Sequence, residues 1–363
     1  MNKIRFAVLG SGHGGMAMAG HLALMGYPVK LFNRSEARLN VVKAIGGIEL
    51  SGVVEGFGPI EHTTSNMEEA IGDADVIMVV VPANGHRYMA TMAAPYLKDG
   101  QVVILNPGRT GGAFEFHQVL MERGVKPDVI IGEAQTLLYA CRNTNPAKVK
   151  IFDIKNSVPV AALPGNQTVE LLKIIHSVFP QFVPSDNVIK TSLDNIGAIF
   201  HPALMVLNAA RIESTRGEFQ FYFEGITKAV SQVLERLDQE RVAVAAALGT
   251  RAMTAKEWLY MAYDAHGKTL YNAIRNNAGY KGILAPATVD HRYLWEDVPM
   301  SLVPIASLGD LLGVDTPTIK HIIHLAGIMN GCDYWAEGRT VEKMGLANLN
   351  HKQIRYIALE GFQ

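Results

Sequence analysis

An apolar, β-branched run at residues 4–9 ends directly in Gly10-Ser11-Gly12-His13-Gly14-Gly15, and a helical pattern of small and apolar residues follows to Met25. A buried strand turning through glycines into a helix leaves few folds open. Gly10 permits the tight turn, Gly12 lets backbone approach a bulky anion, and Gly15 allows close packing of helix on strand. The helix N-terminus adds unpaired N–H groups and the positive end of the macrodipole, which together seat a diphosphate. His13 lies inside this loop. Spacing and position at the head of a strand–helix–strand unit predict a dinucleotide site rather than a mere connector.

The same alternation continues. Residues 29–32, 76–81, 102–105 and 129–131 read as further buried strands, separated by helical patterns at 36–44 and 87–97. Residues 151–154 and 158–162 read as edge or return strands, and 166–178 as another helix. Repeated strand and helix predict a Rossmann-type, doubly wound parallel α/β sheet over residues 1–184. Beyond Pro180, Pro184 and Asp186 the pattern turns helical at 193–212, 226–248, 302–312 and 316–329. Residues 185–363 therefore read as an all-helical second domain. A chain of 363 residues is long enough for two cores.

Charge excludes several classes. Lys+Arg number 33 against Asp+Glu 34, a net charge of -1, so there is no electrostatic reason to expect nucleic acid or an anionic membrane as partner. Cys141 and Cys332 are the only cysteines and do not pair in sequence, which argues against a disulfide framework or thiolate metal site and suits a reducing cytoplasm. His321 and His324 share a helix face among apolar neighbours, with no carboxylate to complete a metal site. No apolar stretch reaches membrane-span length. Charged residues at only 18% hint at a homodimer through the helical domain.

The end of the second strand bears on which dinucleotide binds. An acidic residue there would bond the adenosine ribose and repel a 2′-phosphate. This chain has Asn33-Arg34 instead: Asn33 removes the repulsion and Arg34 offers a planar donor fork. The pattern favours NADP(H), with NAD(H) as the alternative; the bland reading of Arg34 is a surface pair with Glu36. Pro82 and Asn106, with Thr110, lie in turns after strands, where open α/β sheets bind ligands.

In the second half, Asp194, His201 and Asn208 recur seven residues apart and fall on one line of a helix. Pro202 removes a helical hydrogen bond beside His201. A histidine there suits a pocket wall as well as it suits a satisfied core position. Reduction by a nicotinamide needs a proton donor, and histidine serves near neutral pH when a carboxylate fixes its tautomer. The polar cluster at 290–299 offers Arg292 for a substrate carboxylate and Asp297 for orienting a histidine; alternatively Arg292 and Glu296 form an ordinary i,i+4 pair. Spacing alone does not pair Asp297 with His201. Lys190 with Asn195 misses by one residue the lysine–asparagine spacing of some simpler reductases.

Taken together, residues 10–15, 105–112, Gly132-Glu133 through Arg142, 191–213 with His201-Pro202, and Arg292–Pro304 with 311–317 carry a resemblance. The chain resembles the opine (octopine/nopaline-type) dehydrogenases along nearly its whole length. The resemblance implies a Rossmann-type domain joined to a helical one, and reduction by NAD(P)H of the imine formed from an amino acid and a 2-oxo acid such as pyruvate. It also implies that His201 moves the proton, Asp297 orients it, Arg292 binds the oxo-acid carboxylate and Glu133 lies near the amino substrate. Asn208 is a further candidate for substrate contact. A simple 2-oxo acid reductase of the ketopantoate type and a non-catalytic NADP(H) sensor remain as alternatives. Cys141 reads better as a buried structural thiol.

Overall fold

The computed structural model describes residues 3–125 and 128–362. It divides into two compact units, Met1–Thr191 with Tyr356–Gln363, and Ser192–Arg355. Relative to the sequence reading, the segment 185–191 and the last residues join the first unit.

Among the described residues, twelve strands build the first unit: β1 (Phe6–Leu9), β2 (Val29–Phe32), β3 (Gly47–Gly52), β4 (Gly56–Pro59), β5 (His62–Thr64), β6 (Val76–Val79), β7 (Val102–Leu105), β8 (Ile130–Ala134), β9 (Tyr139–Asn145), β10 (Lys148–Ile154), β11 (Val158–Leu163) and β12 (Phe182–Pro184). The main sheet has eight strands in the order β12-β11-β8-β7-β6-β1-β2-β5. Its pairs are parallel except β11 against β8. Every residue of β1, β6 and β7 is buried, as expected for strands covered on both faces.

A second, four-stranded sheet, β4-β3-β10-β9, was not read from the sequence; there, residues 151–154 belong to β10 rather than to the main sheet. The first helix, α1 (His13–Leu24), packs against strands of both sheets, so eight of its twelve residues are buried. That accounts for its apolar, small-residue composition on all sides. Gly20 and Gly58 allow the approach of α1 to β4: a Cβ on Gly58 would lie 2.2 Å from the Gly20 carbonyl oxygen.

The second unit is helical apart from an isolated bridge between Gln220 and Leu284. The helix Lys228–Ala247, capped by the Thr227 hydroxyl, packs against the helices Gly197–Leu207, Val303–Leu312 and Pro317–Asn330. The single helix expected over 193–212 is broken: Gly197–Leu207 and Ala209–Thr215 are separate, and Asp194 lies in a turn. Asp194 accepts from the Met253 amide at 2.7 Å and faces the fully buried Arg241, whose guanidinium also bonds Asp238 at 2.7 Å. The Asp194–His201–Asn208 line thus fails because buried partners fix Asp194 outside the helix. Among the described residues no helix is long and apolar enough to cross a membrane, and no cluster of metal-ligating side chains occurs.

Candidate active site

In the first unit the turn after β1 is shaped for a diphosphate. Gly10 has φ +119°, and a Cβ there would sit 2.4 Å from the Val80 carbonyl oxygen; one on Gly15 would sit 1.8 Å from that of Gly10. Gly12 is the opposite case, with open space around its missing side chain. Two glycines are demanded by the chain's own packing, and the third faces room for a ligand. The residues present therefore fit a dinucleotide. His13 Nδ1 accepts from the Asn143 amide at 2.9 Å, tying the loop to β9.

Asn33 is buried at the end of β2, its amide donating to the Ser11 hydroxyl at 2.5 Å. The exposed Arg34 guanidinium lies 6.0 Å from the ring centroid of Tyr88, while Glu36 accepts from Ser65. Asn106 precedes a cis peptide bond to Pro107 and donates to the Ile104 carbonyl at 2.9 Å. Its buried Oδ1 finds no partner among the described residues. Pro82 caps a short turn after β6.

Glu133 lies in β8. It is fully buried; one carboxylate oxygen accepts from the Ala113 amide at 3.0 Å, in the first turn of the helix Gly112–Glu122, and the other from the Thr191 hydroxyl at 2.7 Å. These contacts anchor the start of that helix through a buried carboxylate. Burial pushes the Cys141 thiol up to about 11, which suits a structural thiol and not a nucleophile.

In the second unit the helix Gly197–Leu207 carries His201, and the short helix Arg292–Trp295 packs against it. Asp297 follows that short helix and is completely buried. Its Oδ2 lies 2.8 Å from His201 Nδ1, so the structure brings together residues 96 apart in sequence. The histidine keeps 19% of its side chain exposed, which leaves it reachable. With Nδ1–H donated to the carboxylate, Nε2 is the nitrogen left to exchange a proton.

Arg292 donates through Nε and Nη2 to Glu296 at 2.9 and 2.5 Å. The i,i+4 pair is therefore real, yet Glu296 is buried while the guanidinium stays about half exposed, at 48%. The pair acts as a mount: the buried carboxylate fixes the fork and leaves charge facing outward. The Asn208 amide donates to the Leu204 and Gly225 carbonyls and closes the helix end.

An aromatic wall, which the sequence reading missed, surrounds the pair. Tyr293 stacks on His201 with centroids 3.9 Å apart and planes at 14°. Phe221 stacks on Tyr293, and Tyr222 on Tyr280. The available signal was position, since Tyr293 sits between two residues already singled out. Burial, then the nearby Arg292 and His201, hold His291 below the ordinary histidine value; burial pushes the Tyr222 phenol well above its own.

A glycine cradle in a Rossmann-type unit and a carboxylate-held histidine beside a mounted arginine define a dinucleotide-dependent oxidoreductase. Comparison with known proteins refines that class. The family described as NAD/NADP octopine/nopaline dehydrogenase, alpha-helical domain, matches residues 184–330, and the NAD binding domain of 6-phosphogluconate dehydrogenase matches residues 5–109. An opine dehydrogenase from Arthrobacter sp. (strain 1C) is 40% identical over 96% of this chain and 97% of its own length. Octopine dehydrogenase from Pecten maximus is 26% identical over 94% of each chain. An octopine dehydrogenase solved with NADH and L-arginine shares the fold with a TM-score of 0.82 over 99% of each chain, at 22% identity. The chain belongs to the opine dehydrogenase family, and its activity is the NAD(P)H-dependent reductive condensation of an amino acid with an oxo acid, an oxidoreduction at a CH–NH group.

Proposed function

We propose that His201 moves the proton in this condensation, that Asp297 holds its tautomer, and that Arg292 receives the carboxylate of a 2-oxo acid such as pyruvate. The observation that carries this reading is the 2.8 Å bond between His201 Nδ1 and the buried Asp297. A carboxylate in that place stabilises the imidazolium and leaves Nε2 as the exchanging nitrogen. His201 then takes a proton from the incoming amino group and returns one to the oxygen that leaves as water. Arg292, steadied by Glu296, orients the oxo acid through a bidentate contact. When bound, the dinucleotide supplies the hydride that reduces the imine carbon.

The dinucleotide would be held by Gly10, Gly12 and Gly15, with Asn33 and Arg34 at the adenosine ribose and Pro82 and Asn106 toward the nicotinamide. We favour NADP(H), because Asn33 carries no charge and Arg34 is exposed beside it. Relatives of this fold have been solved with either cofactor: octopine dehydrogenase with NADH, and yersinopine dehydrogenase with NADP+ at a TM-score of 0.73. A cytoplasmic, homodimeric enzyme is supported by the two free cysteines and the low charged fraction.

The test is NADPH oxidation with pyruvate, with and without a panel of L-amino acids, for the parent chain and His201→Ala. Oxidation that requires the amino acid and falls about 10²–10⁴-fold in His201→Ala is expected. Oxidation by the oxo acid alone would indicate a simple reductase, and full turnover in His201→Ala would remove the histidine from the mechanism.

A further inference from the structure

The hydrogen bond to Asp297 fixes one atom of the His201 ring but not the plane of the ring. An imidazole held only through Nδ1 can still rock about that bond, and such rocking swings Nε2 through an arc. Something must fix the plane if Nε2 is to meet a reacting atom repeatedly. Among the described residues, the ring stacked on the imidazole face is Tyr293, 3.9 Å away and within 14° of parallel.

The geometry points to Tyr293 as a positioning residue for the proton transfer: its ring face sets the plane of His201, while Asp297 sets the direction within that plane. This inference rests on the reading of His201 as the proton-moving group. Tyr293 is itself held on several sides. Phe221 stacks on it at 5.7 Å and 19°, and the His291 ring meets it edge-on at 4.5 Å and 78°. His291 Nδ1 also accepts from the Tyr293 amide at 3.3 Å, fixing the start of the short helix from which the tyrosine projects. Tyr293 is only half-buried, so its packing is not explained by a place in the apolar core.

Planar stacking is a weak contact, of about 0.5–1.5 kcal/mol beyond burial, and contributes little to stability. Its leverage is geometric. Small misplacements of a reacting group can cost about 10²-fold in rate, and a tilt of the imidazole moves Nε2 without breaking the bond to Asp297. The contact belongs to the ring face rather than the hydroxyl, so phenylalanine should serve as well as tyrosine.

The experiment compares Tyr293→Phe, Tyr293→Leu and His201→Ala in the full chain, using the amine and oxo acid that the oxidation assay selects. Tyr293→Phe is expected to keep kcat near the parent value. Tyr293→Leu should lower kcat about 10- to 100-fold, with the KM of both substrates and the Kd of NADPH little changed. Because Tyr293 acts through His201, adding Tyr293→Leu to His201→Ala should cost nothing further. Tyr293→Met, another replacement without a flat face, stands in if the leucine chain fails to fold. A Tyr293→Leu chain with parental kcat overturns the inference, as does a Tyr293→Phe chain impaired as badly as leucine, or a loss that appears in KM alone. If His201→Ala itself turns over normally, the reading of His201 fails; if that variant is impaired while Tyr293→Leu is not, only the present inference fails.

Discussion

Asn33 concentrates much of what a single residue contributes to cofactor choice. It stands at the end of β2, buried, with its amide on the Ser11 hydroxyl inside the glycine turn. An aspartate there could accept from the same hydroxyl, so Asn33→Asp should fold while placing a charge against any 2′-phosphate. NADPH affinity should fall by about 1–3 kcal/mol, the scale of a charged hydrogen bond, while NADH is unaffected or gains. Fluorescence titration with both dinucleotides checks this, and equal NADPH affinity in parent and variant would refute the NADP(H) preference. At this scale the sequence was legible wherever chemistry is local. Gly10, Gly12, Gly15 and His201 announce themselves through residue type and neighbours. The partner of His201 lies 96 residues away, and spacing alone did not pair the two. The contacts of Glu133 and Asn208 within the fold were hidden for a related reason. Both are polar residues in suggestive places, but the Ala113 amide and the Leu204 and Gly225 carbonyls claim them.

Among the elements, six of the eight main-sheet strands were legible because each is a short, largely buried apolar run, whereas β5 and β12, three residues each and partly exposed, were not. The small sheet was not, since β4 is glycine-rich and exposed except at Gly58. Its clue was indirect: α1 is apolar on every side, and a helix with no polar face must be covered all round. The break at Asp194 was hidden too, because Met253 and Arg241, which hold it, come from distant sequence. The contact of α1 with β4 yields a graded prediction. In Gly58→Ala the new methyl meets the backbone oxygen of Gly20 at 2.2 Å, whereas in Gly20→Ala it meets Ile48 and Leu50 side chains at 3.0 Å, which can give way. Urea unfolding should show Gly58→Ala losing about 1–3 kcal/mol or more, and Gly20→Ala less. A Gly58→Ala chain as stable as the parent would mean that the sheet moves off the helix without cost.

For the molecule as a whole, composition and periodicity announced an α/β part followed by a helical part. The return of Tyr356–Gln363 to the first unit was invisible to them, because it depends on contacts such as Asn166 with Glu360 and the stack of Phe362 on His117. That stack bears on acid stability. Burial holds His117 down at about 4, and its Nδ1 is buried without a hydrogen-bond partner among the described residues. An unfolded histidine takes up its proton near 6.5, so between about 6.5 and 4 the unfolded chain binds more protons at this residue than the folded one. Stability from this group is complete above the upper value and is lost progressively as pH falls through the window. Burial lowers His21 as well, which adds to the same trend. His117→Phe keeps a flat ring against Phe362 and removes the titration. The parent's loss of stability from pH 7 to pH 4 should therefore be steeper than the variant's, as read by urea midpoints across that range. Parallel curves would mean that His117 is protonated in the fold, with the stack opening to admit water.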